Sequence, residues 1–275
     1  MTHLQLPSIR LSDWHKSRDT IHQYAQLLGK IRTALMPPQK HWWHITLHVA
    51  ATGLTTTPIP VNGKTVELLL DFVNHTLLIT TSYGEKAEIP LRVQSIASMY
   101  HAVMEVLSTM DIKPEFEHSL FVDEAPVKYD SEAITRYWRT FAWIDGVFKR
   151  FKGELREETG PVQVFPHHFD LSMNWFSGRL VPGVDPADEE AADEQMNFGF
   201  VSGDDTISDA YFYITAYPLP KGLTDTVLPE GTYWHTEGFT AAIMMYESLQ
   251  AANDPETMLL TFLRTVQKAG AKLMR

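Results

Sequence analysis

Apolar residues recur at helical spacing from Trp14 through Ile21, Tyr24, Leu28, Ile31 and Leu35, and Ser12 or Asp13 stands where a cap is needed. The spacing predicts a first helix that Pro37 and Pro38 end, with Gly29 inside it costing about 1 kcal/mol relative to Ala, a cost that packing offsets. From about 42 to 50 the period changes to two, with Trp43, Ile45, Leu47 and Val49 facing away from Trp42, His44, Thr46 and His48, which predicts a strand. Residues 53–60 read as a loop, because Pro58 and Pro60 cannot donate to a central ladder. A hairpin over 66–73 and 76–82 turns at Asn74 and His75, and a further turn at 83–85 leads into a strand near 87–91. Ser95 then caps a helix with Ile96, Tyr100, Val103, Leu107 and Met110 on one stripe.

The second half has a similar layout. Asp130 or Ser131 opens a long aromatic helix through Tyr137, Trp138, Phe141, Phe148 and Phe151. A strand is predicted at about 162–176, where Phe169, Leu171, Met173 and Trp175 alternate with His168, Asp170, Ser172 and Asn174. Strands near 196–202, 210–217 and 232–246 follow, and Asp254 with Pro255 opens a final helix. The expected fold is α+β: a mainly antiparallel sheet covered by about four main helices, built as one compact unit over 1–275. Its halves, 1–122 and 123–275, share a helix–strands–helix order. WHITL (43–47) and HHFDL (167–171) echo one another in a way that suggests an internal duplication.

Composition narrows the function by exclusion. The net charge of −11 offers no basic surplus for phosphates, so nucleic acid is not an expected partner. Six acidic residues (Asp185, Asp188, Glu189, Glu190, Asp193 and Glu194) concentrate that charge in one stretch without a basic residue. Absence of cysteine removes disulfides, thiol nucleophiles and thiolate metal sites. No apolar run approaches the roughly 20 residues that cross a bilayer, and the first residues lack the features of a signal peptide, so a cytoplasmic protein with no membrane partner is expected. The G-x-S-x-G, G-x-x-x-x-G-K-[ST], G-x-G-x-x-G and H-E-x-x-H patterns are missing, which removes the common serine hydrolases, phosphate-loop enzymes, dinucleotide-dependent dehydrogenases and zincins.

What remains are local constellations. On a strand, His44 and His48 stand about 13 Å apart, too far to share a metal, so a divalent metal would need His44 together with His168 and Asp170. His168 and Asp170, two apart on the predicted strand, form the candidate acid–base pair, with His44 as a third candidate catalytic group. Arg179, Lys30 and Arg32 are candidate anchors for an anionic ligand, and Trp42 and Tyr213 candidate walls. No cofactor is predicted.

The segment GKIRTALMPPQKHWWHITLHVAATGLTTTPIP (29–60) resembles the signature of an uncharacterised bacterial domain-of-unknown-function family. PVQVFPHHFDL (161–171) with FSGR (176–179) resembles its second block, and the likeness runs over nearly the whole chain. It implies a bacterial, cytoplasmic, stand-alone protein and carries no activity with it. The reading favoured by the residues is a small-molecule-binding protein, with or without catalysis, whose pocket lies between the predicted strands 42–50 and 162–176. A non-catalytic interaction or structural protein is the alternative, and a metal-assisted hydrolase the third.

Overall fold

Side-chain alternation and capping residues account for most elements of the computed structural model, which describes residues 5–188 and 190–274. In chain order they are α1 (Leu11–Leu35), a 3₁₀ turn (Lys40–Ile45), β1 (His48–Val49), β2 (Gly53–Thr55), β3 (Ile59–Val61), β4 (Lys64–Asp71), β5 (Thr76–Thr81), β6 (Lys86–Pro90) and α2 (Ile96–Thr109). Then come α3 (Ser131–Glu154), β7 (Gln163–Phe165), β8 (Asp170–Leu180), β9 (Asp193–Val201), β10 (Tyr211–Tyr217), β11 (Thr232–His235), β12 (Ala241–Met245), α4 (Tyr246–Gln250) and α5 (Pro255–Leu273). Three of the caps read from sequence are present, whereas α1 begins at Leu11, so Ser12 and Asp13 lie inside its first turn and do not precede it. Ser95 Oγ accepts from Ser98 N at 3.0 Å, Asp130 Oδ1 from Ala133 N at 3.0 Å, and Asp254 Oδ1 from Thr257 N at 3.1 Å. With four long helices and antiparallel sheets, the fold is α+β. Among the described residues no helix is long and apolar enough to cross a membrane.

Contacts divide the chain into two compact units. The first comprises Ser12–Ala142 and Gln163–Phe169. Its sheet runs β1-β2-β4-β5-β6, with β3 also on β4. Val66, Leu68 and Leu70 of β4 and Leu77 and Ile79 of β5 are fully buried on one face, as the period of two requires. Asp71 closes the β4–β5 hairpin by accepting from Val73 N, Asn74 N and Asn74 Nδ2, which holds His75 at φ 53°. Aromatic pairs join the helices, Trp14 of α1 lying 4.5 Å from Tyr137 of α3 between ring centroids. The other unit takes the chain up to Leu11, Trp143–Val162 and everything from Asp170 on. Its strands run β11-β12-β10-β9-β8. Phe151 and Phe148 of α3 meet Phe198 and Phe212 at 5.1 and 6.4 Å, which makes one sheet face an aromatic core.

Four local expectations are corrected. Of residues 42–50 only His48–Val49 (β1) are strand: Lys40–Ile45 form a 3₁₀ turn in which His41 and Trp42 take φ 54° and 59°. Side chains fasten that turn, because Gln39 N donates to His44 Nδ1 (3.2 Å) and Thr46 Oγ1 to Trp43 O (2.9 Å), bonds that compete with a ladder. The alternating rings instead stack on one another, His41 with Trp43 and Trp42 with His44. Residues 53–60 are not all loop, since β2 and β3 pair with β4; β3 has that single neighbour, so Pro60 leaves no ladder bond unmade. The strand expected over 162–176 is broken by a turn at 166–169, closed by Phe169 N donating to Phe165 O (2.8 Å) with Phe169 at φ 57°. The strand expected over 232–246 is β11 and β12 with Gly238 (φ 82°) in the connection, followed by α4. In the acidic stretch, Asp193 and Glu194 begin β9, whereas Glu189 lies outside the described residues.

The 166–169 turn explains Gly29. A Cβ on Gly29 would lie 2.7 and 2.8 Å from Pro166 Cγ and Cβ, so only glycine lets α1 pass this close to the ring. His22, two turns earlier on the same face of α1, points its Nε2 at Pro166 O (3.0 Å) and His167 O (3.3 Å) and stacks its ring 5.2 Å from Phe169. Burial, with His168 and His22 beside it, lowers the His167 pKa to about 4.

Two outcomes follow from this corner. Gly29→Ala gains about 1 kcal/mol of helix propensity, but the pyrrolidine cannot swing aside, and overpacking of this kind costs about 1–3 kcal/mol. Chemical denaturation will therefore show the variant to be less stable; a gain in stability would remove the close-approach argument. His167 binds its proton more weakly folded than unfolded, so stability contributed above pH 6.5 is lost as the pH falls from there toward 4 and changes no further below it. An NMR titration should place the His167 midpoint near 4, and His167→Gln should flatten the acid limb of the stability curve.

Candidate functional site

The residues singled out from the sequence fall into two groups, one in each unit. In the second unit, Asp170, Ser172 and Asn174 share a face of β8, and register places Ser172 beside Gly199 of β9, which in turn lies beside Tyr213 of β10. That face is buried rather than wet: Asp170 is 7% exposed and Ser172 0%. Its polar groups answer one another. The Tyr213 phenol donates to Asp170 Oδ2, Ser172 Oγ to Asn197 Oδ1 (2.6 Å), and Asn174 Nδ2 to Gln195 Oε1 (2.7 Å). Burial, then the Asp170 charge, pushes the Tyr213 phenol well above its ordinary pKa, so it stays a donor. Gly199 makes room for this: a Cβ there would lie 2.2 Å from Tyr213 Cζ. Tyr211 likewise donates to Asp204 Oδ2 (2.5 Å). Arg179, read as an anion anchor, spends its fork on Glu194, Nε to Oε2 at 3.0 Å and Nη2 to Oε1 at 3.1 Å.

His168 sits in the 166–169 turn and not on β8, so strand alternation does not pair it with Asp170. Its ring lies 4.3 Å from that of His167. Among the described residues no group of three or more His, Asp or Glu side chains is arranged to hold a metal ion.

The first unit holds the other group, around Arg32. Gly29 and Arg32 are three apart and lie on the same side of α1, and the approach that Gly29 permits brings Arg32 to the chain just after the 3₁₀ turn. Arg32 Nη1 donates to Thr46 O at 2.5 Å in a fully buried setting, and the side chain is 3% exposed. Thr46 Oγ1 donates in turn to Gln163 Oε1 at 2.8 Å, and Leu47 and Val164 exchange backbone bonds of 2.8 Å each way. The segments near 42–50 and 162–165 are thus hydrogen-bonded neighbours, although by a short bridge and not by two full strands.

The chemistry of this cluster is one-sided. Arg32 Nε, Gln163 Nε2 and Trp43 Nε1 are buried N–H donors with no acceptor among the described residues. Among the described residues no carboxylate faces Arg32, whose pKa burial pulls down to about 10, so the group stays a cation at neutral pH. An isolated buried ion costs several kcal/mol. One bond from a charged donor returns about 1.5–3 kcal/mol, and a place in the last turn of α1 returns up to about 1 kcal/mol. A deficit remains that an anion would remove. His44 is buried (6% exposed), and its Nδ1 accepts the Gln39 N–H. Trp42 is 45% exposed beside it, and Lys30 is half-buried with the Glu117 carboxylate as its electrostatic partner. Arg32 is among the cations singled out from the sequence; Gln163 is not, although a lone amide inside Val162-Gln163-Val164-Phe165 marks a polar group facing a core.

No curated protein and no solved structure matches the chain. A family model does, over residues 6–275, which is the span of both sequence blocks and both units. The chain therefore belongs to the family of unknown function DUF5996.

Proposed function

We propose that this chain is a small-molecule-binding protein that takes up an anion at Arg32, with Gln163 and Trp43 as additional donors. One observation carries the reading: a guanidinium 3% exposed, bonded to a single carbonyl, with no carboxylate partner and with further unanswered N–H groups close by in the chain's bonding pattern. Such a set has donors and positive charge in surplus and lacks acceptors, which is the complement of an anion. The polar face of β8 supports the same choice by contrast, since its donors Tyr213, Ser172 and Asn174 each have an acceptor on that face.

The test is Arg32→Met. If Arg32 serves a ligand, the unliganded variant is at least as stable as the wild type, because the uncompensated charge is gone, while stabilisation by added anion disappears. For the wild type that stabilisation reaches about 2.7 kcal/mol at a hundred times Kd. Loss of several kcal/mol in the unliganded variant, read by denaturant titration, would make Arg32 a structural tie between α1 and Thr46 instead.

A further inference from the structure

The open donors at Arg32 also specify which kind of anion fits. Nη1 is committed to the Thr46 carbonyl, and among the described residues Arg32 makes no other hydrogen bond. The free edge of the guanidinium is therefore the one formed by Nε–H and Nη2–H, two parallel donors in one plane. A carboxylate meets that edge with both oxygens. Its two remaining lone-pair directions can take an indole and an amide N–H, the two donor types that Trp43 Nε1 and Gln163 Nε2 leave unanswered.

Charge decides between a carboxylate and a phosphate. Arg32 is the one permanent cation in the group. The Nδ1 of His44 is taken up by the Gln39 N–H, and Lys30, two residues before Arg32 and so on another side of the helix, is turned to the charge of Glu117. A carboxylate brings one negative charge and leaves the buried site neutral. A phosphate monoester carries close to two near neutral pH and would leave one uncompensated away from water. We infer that the ligand is a small carboxylate monoanion bound side-on to Arg32. This rests on the anion-binding reading above.

The probes are acetate, benzoate, inorganic phosphate and sulfate, added to the full chain at matched ionic strength and followed by thermal shift and calorimetry. Acetate or benzoate should raise the melting temperature saturably and shift the Arg32 Nε–H resonance, with phosphate and sulfate at least ten-fold weaker. Arg32→Lys keeps the charge but not the planar pair of donors, so it should lose at least ten-fold in carboxylate affinity. If phosphate or sulfate binds as tightly as the carboxylates and moves the same resonance, the carboxylate assignment falls while the anion site stands. If no anion moves the resonance, both fall. The resonance is read on the wild type, so the outcome does not depend on either variant folding.

Discussion

A guanidinium removed from water must find oxygen atoms, and in the first unit that requirement sets the geometry around it. Gly29 allows α1 to run against Pro166 at a distance no other residue would permit, and Arg32, one turn further, is delivered to the Thr46 carbonyl. Thr46 then ties Trp43 on one side and Gln163 on the other. Arg32, Thr46 and Gln163 are joined in series by buried bonds, so their positions depend on one another.

The two polar clusters show why burial alone does not mark a site. In the second unit the donors Tyr213, Ser172 and Asn174 each have an acceptor, in Asp170, Asn197 and Gln195, and Gly199 is the space that lets the phenol lie across the sheet. Such a network specifies one arrangement of strands and leaves no surplus of donors. Around Arg32 the balance is broken in one direction only, toward donors and toward positive charge. The imbalance, and not the depth, gives the cluster a chemical appetite.

How much of this the sequence disclosed depends on whether the controlling interaction was local. Helix periodicity and the caps at Ser95, Asp130 and Asp254 are local, and they were legible. So was the α+β architecture, because the strands of β4, β5, β8 and β10 keep a period of two on a half-covered sheet. The 3₁₀ turn at Lys40–Ile45 was hidden because Trp42, Trp43 and His44 alternate as a strand would, while side-chain bonds from Gln39 and Thr46 hold another backbone. Arg32 was legible as a cation beside polar residues. Its lack of a carboxylate was not, since an acidic chain of net charge −11 offers ample partners by composition and only the fold shows that none comes near. Arg179 makes the point in reverse: it looks the same in sequence and is held by Glu194.

The first unit is not contiguous, for β7 and the turn after it return to it only once 143–162 has been laid down for the other unit. On the ribosome, where folding proceeds from the N-terminus as the chain emerges, Thr46 and Leu47 wait as an unzipped edge until Gln163 and Val164 leave the exit tunnel. The surroundings of Arg32 are thus completed only after residue 164 has been made, and a nascent chain stalled before that point would carry Arg32 without the strand that completes them.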